Sequence, residues 1–155
     1  MELHMEDGSA QELTNINLRT CLYLRAVKEF ADFTNENKFV HLSDGGWVRL
    51  AELPSTGYGD RLPAHGEEIR IFCDLPLALC VSNEAQRLVA MTWFEDTFQM
   101  GGNPARPCLH ADPVMPDLQP GDTAAVYGKL IFFAGSPDQF LAAWKAGDYE
   151  LTSSA

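Results

Sequence analysis

Cys108, His110 and Asp112 occupy alternate positions in the stretch ARPCLHADPVMPD, residues 105 to 117. A thiol, an imidazole and a carboxylate are the side chains of metal ligation and of nucleophile–base chemistry. Pro107 and Pro113 favour extended backbone at the residues before them, Arg106 and Asp112. In an extended segment the three side chains leave from one side, and Leu109 and Ala111 from the other.

Spacing then limits what they can do. Alternate residues along a strand lie roughly 6.5–7 Å apart, which puts Cys108 and Asp112 about 13 Å apart. Zinc holds its ligands at about 2.0–2.3 Å, so the outer pair does not reach one ion without a bend. Any two of the three would need His41 or His65 to complete a set, and no spacing brings either close. A nucleophile–base relay usually draws its members from separate elements. The sequence therefore predicts an ordered surface loop over 105–117, anchored by Leu109, Val114 and Leu118. In it Cys108, His110 and Asp112 do not converge, and neither a metal nor a cofactor is expected. If the loop acts, it acts as a lid or a binding rim. The candidate binding residues are then Cys108, His110 and Asp112 with Trp47, Trp93 and Phe94, aromatics able to wall a pocket.

Other catalytic spacings are absent: the chain has no HExxH, GxSxG or GxGxxG and no CxxC pair. Cys21, Cys73, Cys80 and Cys108 are scattered among apolar residues and read as free thiols of a reducing compartment, which points to the cytoplasm.

The elements that must position these residues are read from periodicity. Ser9 and Glu12 have capping-box spacing, and Leu13, Ile16, Thr20, Leu24, Val27 and Ala31 form a helical stripe, which predicts an N-terminal helix ended by NEN at 35–37. KFVHL and the run from Trp47, joined through SDGG, predict a hairpin with strands about 38–42 and 47–53. EEIRIFCDL alternates and predicts a half-buried strand, which Pro76 interrupts. LALCVS, apolar on both faces, predicts a central strand. NEAQ reads as a hairpin loop with 87–95 as the returning strand, a helix capped by Asn83 being the alternative. Residues 99–121 hold five prolines and three glycines and predict a long loop. DTAAVYGKLIFF predicts a strand bent at Gly128. Ser136, Pro137 and Gly147 start and stop a C-terminal helix whose buried face is Phe140, Leu141 and Trp144.

Helix, strands, helix in that order predict one globular α+β domain over 1–155, with 1–9 and 150–155 frayed. Its sheet is expected to be largely antiparallel, curled or partly barrel-like, and flanked by an N-terminal and a C-terminal helix. The net charge of −11 comes from 22 acidic and 11 basic residues with no basic run. That disfavours nucleic acid and anionic membrane surfaces, both of which need clustered cations. No apolar run approaches the ~20 residues of a membrane helix. The expected function is that of a small non-enzymatic binding or interaction protein with an acidic surface, its partner a basic protein, and a homodimer is expected. The alternatives are a binder of a small apolar ligand over the sheet, and an enzyme using His110 with Cys108 or Asp112.

Overall fold

The structure is a computed structural model and describes residues 1–42, 46–53, 61–63, 73–103 and 105–149. Twelve strands and one helix follow one another along it. They are β1 (Glu2–Glu6), β2 (Ile16–Asn17), β3 (Leu22–Tyr23), β4 (Lys38–Leu42), β5 (Gly46–Arg49), β6 (Arg61–Pro63), β7 (Cys73–Val81), β8 (Arg87–Thr92), β9 (Thr97–Asn103), β10 (Cys108–Met115), β11 (Thr123–Tyr127), β12 (Lys129–Ala134) and α1 (Pro137–Lys145). The protein is mostly β, 50% strand against 11% helical, with open sheets and one C-terminal helix. The expected α+β fold with two flanking helices is thereby corrected.

The N-terminal helix is absent because another period wins. In INLRTCLYL, residues 16 to 24, Ile16, Leu18, Thr20, Leu22 and Leu24 are half-buried or buried while Asn17, Arg19, Cys21 and Tyr23 are exposed, a period of two. Val114 pairs with Asn17 and Leu109 with Leu22, so β2 and β3 follow a single antiparallel register along β10. Residues 2–6, expected to fray, instead pair with β11 from Glu2↔Tyr127 to Glu6↔Thr123. Residues 150–155 lie outside the described residues.

Two five-stranded sheets carry the core. One has the order β2-β10-β9-β6, with β3 also on β10; the other has the order β12-β8-β7-β4-β5. Leu109, Ala111, Met100 and Met115 of the first meet Val40, Ala78, Cys80, Val89 and Met91 of the second. The alternate residues Leu77, Leu79, Leu88 and Ala90 turn to the other face of the second sheet and pack with Phe140 of α1. Burial on both faces explains why β7 sits at the centre of its sheet, as LALCVS predicts. β7 runs through Pro76, expected to interrupt it, because its register against β4 shifts there: Val40 faces Ala78 but Leu42 faces Cys73. An irregularity of this kind tolerates a residue with no N–H. The β4–β5 and β7–β8 strand pairs form as expected, but β5 ends at Arg49, short of the expected 53, and Leu50–Glu52 make a 3-10 turn. Residues 43–45 of the first turn and 67–72 of the strand expected in EEIRIFCDL lie outside the described residues.

The expected loop over 99–121 is mostly sheet. Pro113 falls at a register shift of β10 against β9, so proline removes no regular ladder bond. Gly102 of β9 faces a crowded site, where a Cβ would come within 2.7 Å of Asn35 Oδ1 and of Lys38 Cδ. Gly128 separates β11 from β12 where the chain passes from one sheet to another, and a Cβ there would collide with Thr92 O and come within 2.7 Å of Trp93 Cε3. No helix among the described residues is long and apolar enough to cross a membrane.

Candidate functional site

β10 brings Cys108, His110 and Asp112 to one face, as their alternation requires. They are not on a surface loop: Cys108 is 2%, His110 7% and Asp112 3% exposed. Nor do they stay apart. Cys108 Sγ lies 3.0 Å from His110 Nε2, and His110 Nδ1 lies 3.9 Å from Asp112 Oδ1. Backbone spacing alone misses this, because a cysteine and an imidazole on one face can lean toward each other across a strand repeat.

The neighbouring chain supplies the rest. Since Leu22 faces Leu109 and Tyr23 faces Cys108, the same register sets Cys21 opposite His110 and diagonal to Cys108. At Thr20 side chains replace ladder bonds. Asp112 Oδ1 accepts from the Thr20 N–H at 2.8 Å, and His110 Nδ1 lies 2.7 Å from the Thr20 carbonyl. The Thr20 hydroxyl donates to the Ala111 carbonyl and accepts from Trp93 Nε1 at 3.2 Å. Thr20 is thus held from four directions, and Cys21, the next residue, is held with it.

The tautomer follows from these bonds. A carbonyl only accepts, so Nδ1 carries the proton toward Thr20, and in the neutral form of the ring the Nε2 lone pair faces Cys108. Cys21 Sγ, Cys108 Sγ and a ring nitrogen of His110 lie within 4.8 Å of one another, the first residue exposed and the other two buried, and Nε2 is the nitrogen beside Cys108. Two thiols and an imidazole lone pair are the donor set of zinc and related soft ions. Tetrahedral zinc needs ligand atoms about 3.5–3.8 Å apart, so closing the set takes movements of about 1 Å. An imidazole whose second nitrogen is fixed by a backbone carbonyl is the usual outer support of a metal-bound histidine.

Two other chemistries fit less well. Burial first, and then the neighbouring Cys21, pushes the Cys108 thiol up to about 11, so near neutral pH it is not the thiolate a nucleophile must be. Diagonal cross-strand positions have Cα atoms about 7–8 Å apart, beyond the ~6.8 Å that a disulfide ordinarily spans.

The raised thiols have a consequence for stability. Burial pushes Cys73 and Cys80 up to about 12 from an ordinary 9.0. Between those values the unfolded chain has lost these protons and the folded chain keeps them, so rising pH favours unfolding. Stability is expected to be intact below pH 9 and to fall from about 9 toward 12, with a slope of up to about 1.4 kcal/mol per pH unit for each such thiol. Urea melts across this range check it. A flat profile, or one that falls just as steeply in a Cys73→Ala/Cys80→Ala variant, where only the raised Cys108 remains, would reject the assignment.

Of the remaining candidates, only Trp93 adjoins the centre. Trp47 packs edge-on against His41 in the other core cluster, and Phe94 stacks on Trp144 at 5.7 Å. His41, a possible added ligand, pairs with Asp74, and His65 lies outside the described residues. Cys21 is the ligand candidate that reading the 105–117 stretch alone passes over. Compared with protein-family models, curated proteins and solved structures, the chain has no match.

Proposed function

We propose that this protein binds one soft divalent transition-metal ion, zinc in the first instance, through Cys21 Sγ, Cys108 Sγ and His110 Nε2. The observation that carries the reading is the pre-set imidazole. Its proton is committed to the Thr20 carbonyl, and its lone pair sits 3.0 Å from one sulfur of a two-sulfur cluster. Both thiols must lose protons to bind, so affinity rises with pH. With three protein donors the ion keeps a coordination position for water or another molecule, the pattern of non-structural zinc sites. Free thiols in this number fit a reducing compartment such as the cytoplasm. Equilibrium dialysis against zinc tests the proposal, with one ion per chain expected. Occupancy that is unchanged in a Cys108→Ala variant would refute it.

We also propose that the chain forms a homodimer. Phe132, on β12 at one end of its sheet, is 71% exposed, and an exposed aromatic on a terminal strand suits self-association. Light scattering is expected to give twice the chain mass, falling to the single-chain mass in Phe132→Glu. A single-chain mass for the unaltered protein at high concentration would remove the idea. The acidic surface, net −11, suits a basic protein as a further partner, and a shift of an added polylysine in sedimentation would reveal one. No such shift at low salt would count against it.

A further inference from the structure

Residues 20–22 serve two structures at once. They carry Cys21 and the Thr20 carbonyl of the thiol–imidazole centre, and they also wall an open cavity of about 320 Å³. Leu3 of β1, Met91 of β8, Leu130 of β12 and Trp93 form the rest of its apolar wall. The cavity therefore lies where β1, the β3 segment and the second large sheet come together.

We propose that this cavity binds a small neutral apolar molecule and that its occupancy is coupled to the metal centre. The coupling rests on the metal reading above; the binding of the apolar molecule does not.

The lining decides the chemistry. Among its residues Glu2 is the charged side chain, and its carboxylate already meets His4 at 2.7 Å and hydrogen-bonds Tyr127. The α-amine of Met1, the cation of the lining, donates to the Gly128 carbonyl at 2.6 Å. Both charges are already engaged with protein groups, and an anion would also face a chain of net charge −11. Apolar contact with leucine, methionine and tryptophan is what remains. The volume stands at the small end of ligand pockets, about 300–1,000 Å³. An apolar cavity of ~150 Å³ already admits benzene in another protein, so a single substituted ring fits.

The path to the centre is short and made of named bonds. Trp93 donates from Nε1 to the Thr20 hydroxyl, and the Thr20 carbonyl holds the His110 ring. A molecule resting on Trp93 and Leu22 bears on both neighbours of Cys21, and so on the position of a donor sulfur. Coupling of this kind is reciprocal: the metal alters affinity for the apolar molecule by the same factor.

Toluene is the probe and benzoate its charged control, both titrated into the full, isotope-labelled chain. The readout is the indole N–H resonance of Trp93, identified by its loss in Trp93→Phe. Toluene is expected to shift it saturably and benzoate to leave it in place. Leu130→Trp or Leu3→Trp, either of which fills the cavity, is expected to remove the toluene shift. Zinc affinity measured with saturating toluene is expected to differ by about fivefold or more from that without it. A resonance unmoved by toluene, moved as far by benzoate, or still moved by toluene in both filled variants would overturn the ligand site. Equal zinc affinity with and without toluene would overturn the coupling. If zinc does not bind under either condition, the metal reading fails and takes the coupling with it, while the toluene titration still decides the cavity.

Discussion

His110→Ala is expected to abolish stoichiometric zinc binding, and Cys108→Ala to do the same. Each removes a buried donor of three, and the remaining pair, one sulfur exposed and one donor buried, has no fixed geometry. Asp112→Ala is the graded case. It touches no donor atom but frees the Thr20 N–H that Asp112 Oδ1 accepts, and with it the carbonyl that sets the His110 tautomer. Loss of such outer support typically costs about 10–100-fold in affinity. Stability reports the same event: zinc at a thousand times its Kd adds about 4 kcal/mol, which for a chain of this size raises Tm by about 8–16 °C. Calorimetry on the three variants and the unaltered protein checks the order. Full affinity retained in His110→Ala would contradict the site, and full affinity in Asp112→Ala would contradict the role given to Thr20.

Phe140→Ala is expected to cost about 3–5 kcal/mol of folding stability. Phe140 is fully buried against Leu77, Leu79, Leu88, Ala90 and Ile131, and it is the buried residue of α1. A nine-residue helix does not hold together alone in water, so its docking depends on that side chain. Trp144, expected from the sequence to share the buried face, is half-buried and stacks on Phe94 and Tyr149. Its truncation should therefore cost clearly less than that of Phe140. Urea melts decide: a Phe140→Ala loss below about 1 kcal/mol, or one smaller than that of Trp144→Ala, would reject this account of the second core.

The C-terminal helix was legible because its signals are local. Ser136 and Gln139 form the reciprocal cap, Pro137 opens the helix, and Gly147 takes φ +84° just past its end. The β4–β5 hairpin was legible for the same reason. The N-terminal helix was misread because Leu13, Ile16, Thr20 and Leu24 satisfy a helical spacing only when Thr20 is counted as apolar. The alternation from Ile16 to Leu24 counts Thr20 as well, but it also takes in Leu18 and Leu22, which the helical stripe leaves out, and it is the pattern the chain follows. That misreading hid the site. On a helix Cys21 has no relation to His110; on an extended segment in register with β10 it lies opposite it. The prolines of 99–121 misled in the same way, since Pro113 sits at a register shift rather than in a loop. The pairing of distant segments, 20–24 with 107–111, is long-range information that neither local pattern carries.

X-ray absorption at the zinc edge of the loaded protein tests the central claim most directly. The account predicts two sulfur scatterers at about 2.3 Å and an imidazole nitrogen at about 2.0–2.1 Å, with one sulfur lost in Cys21→Ser. A first shell of oxygen and nitrogen alone, or a spectrum unchanged by Cys21→Ser, would contradict it.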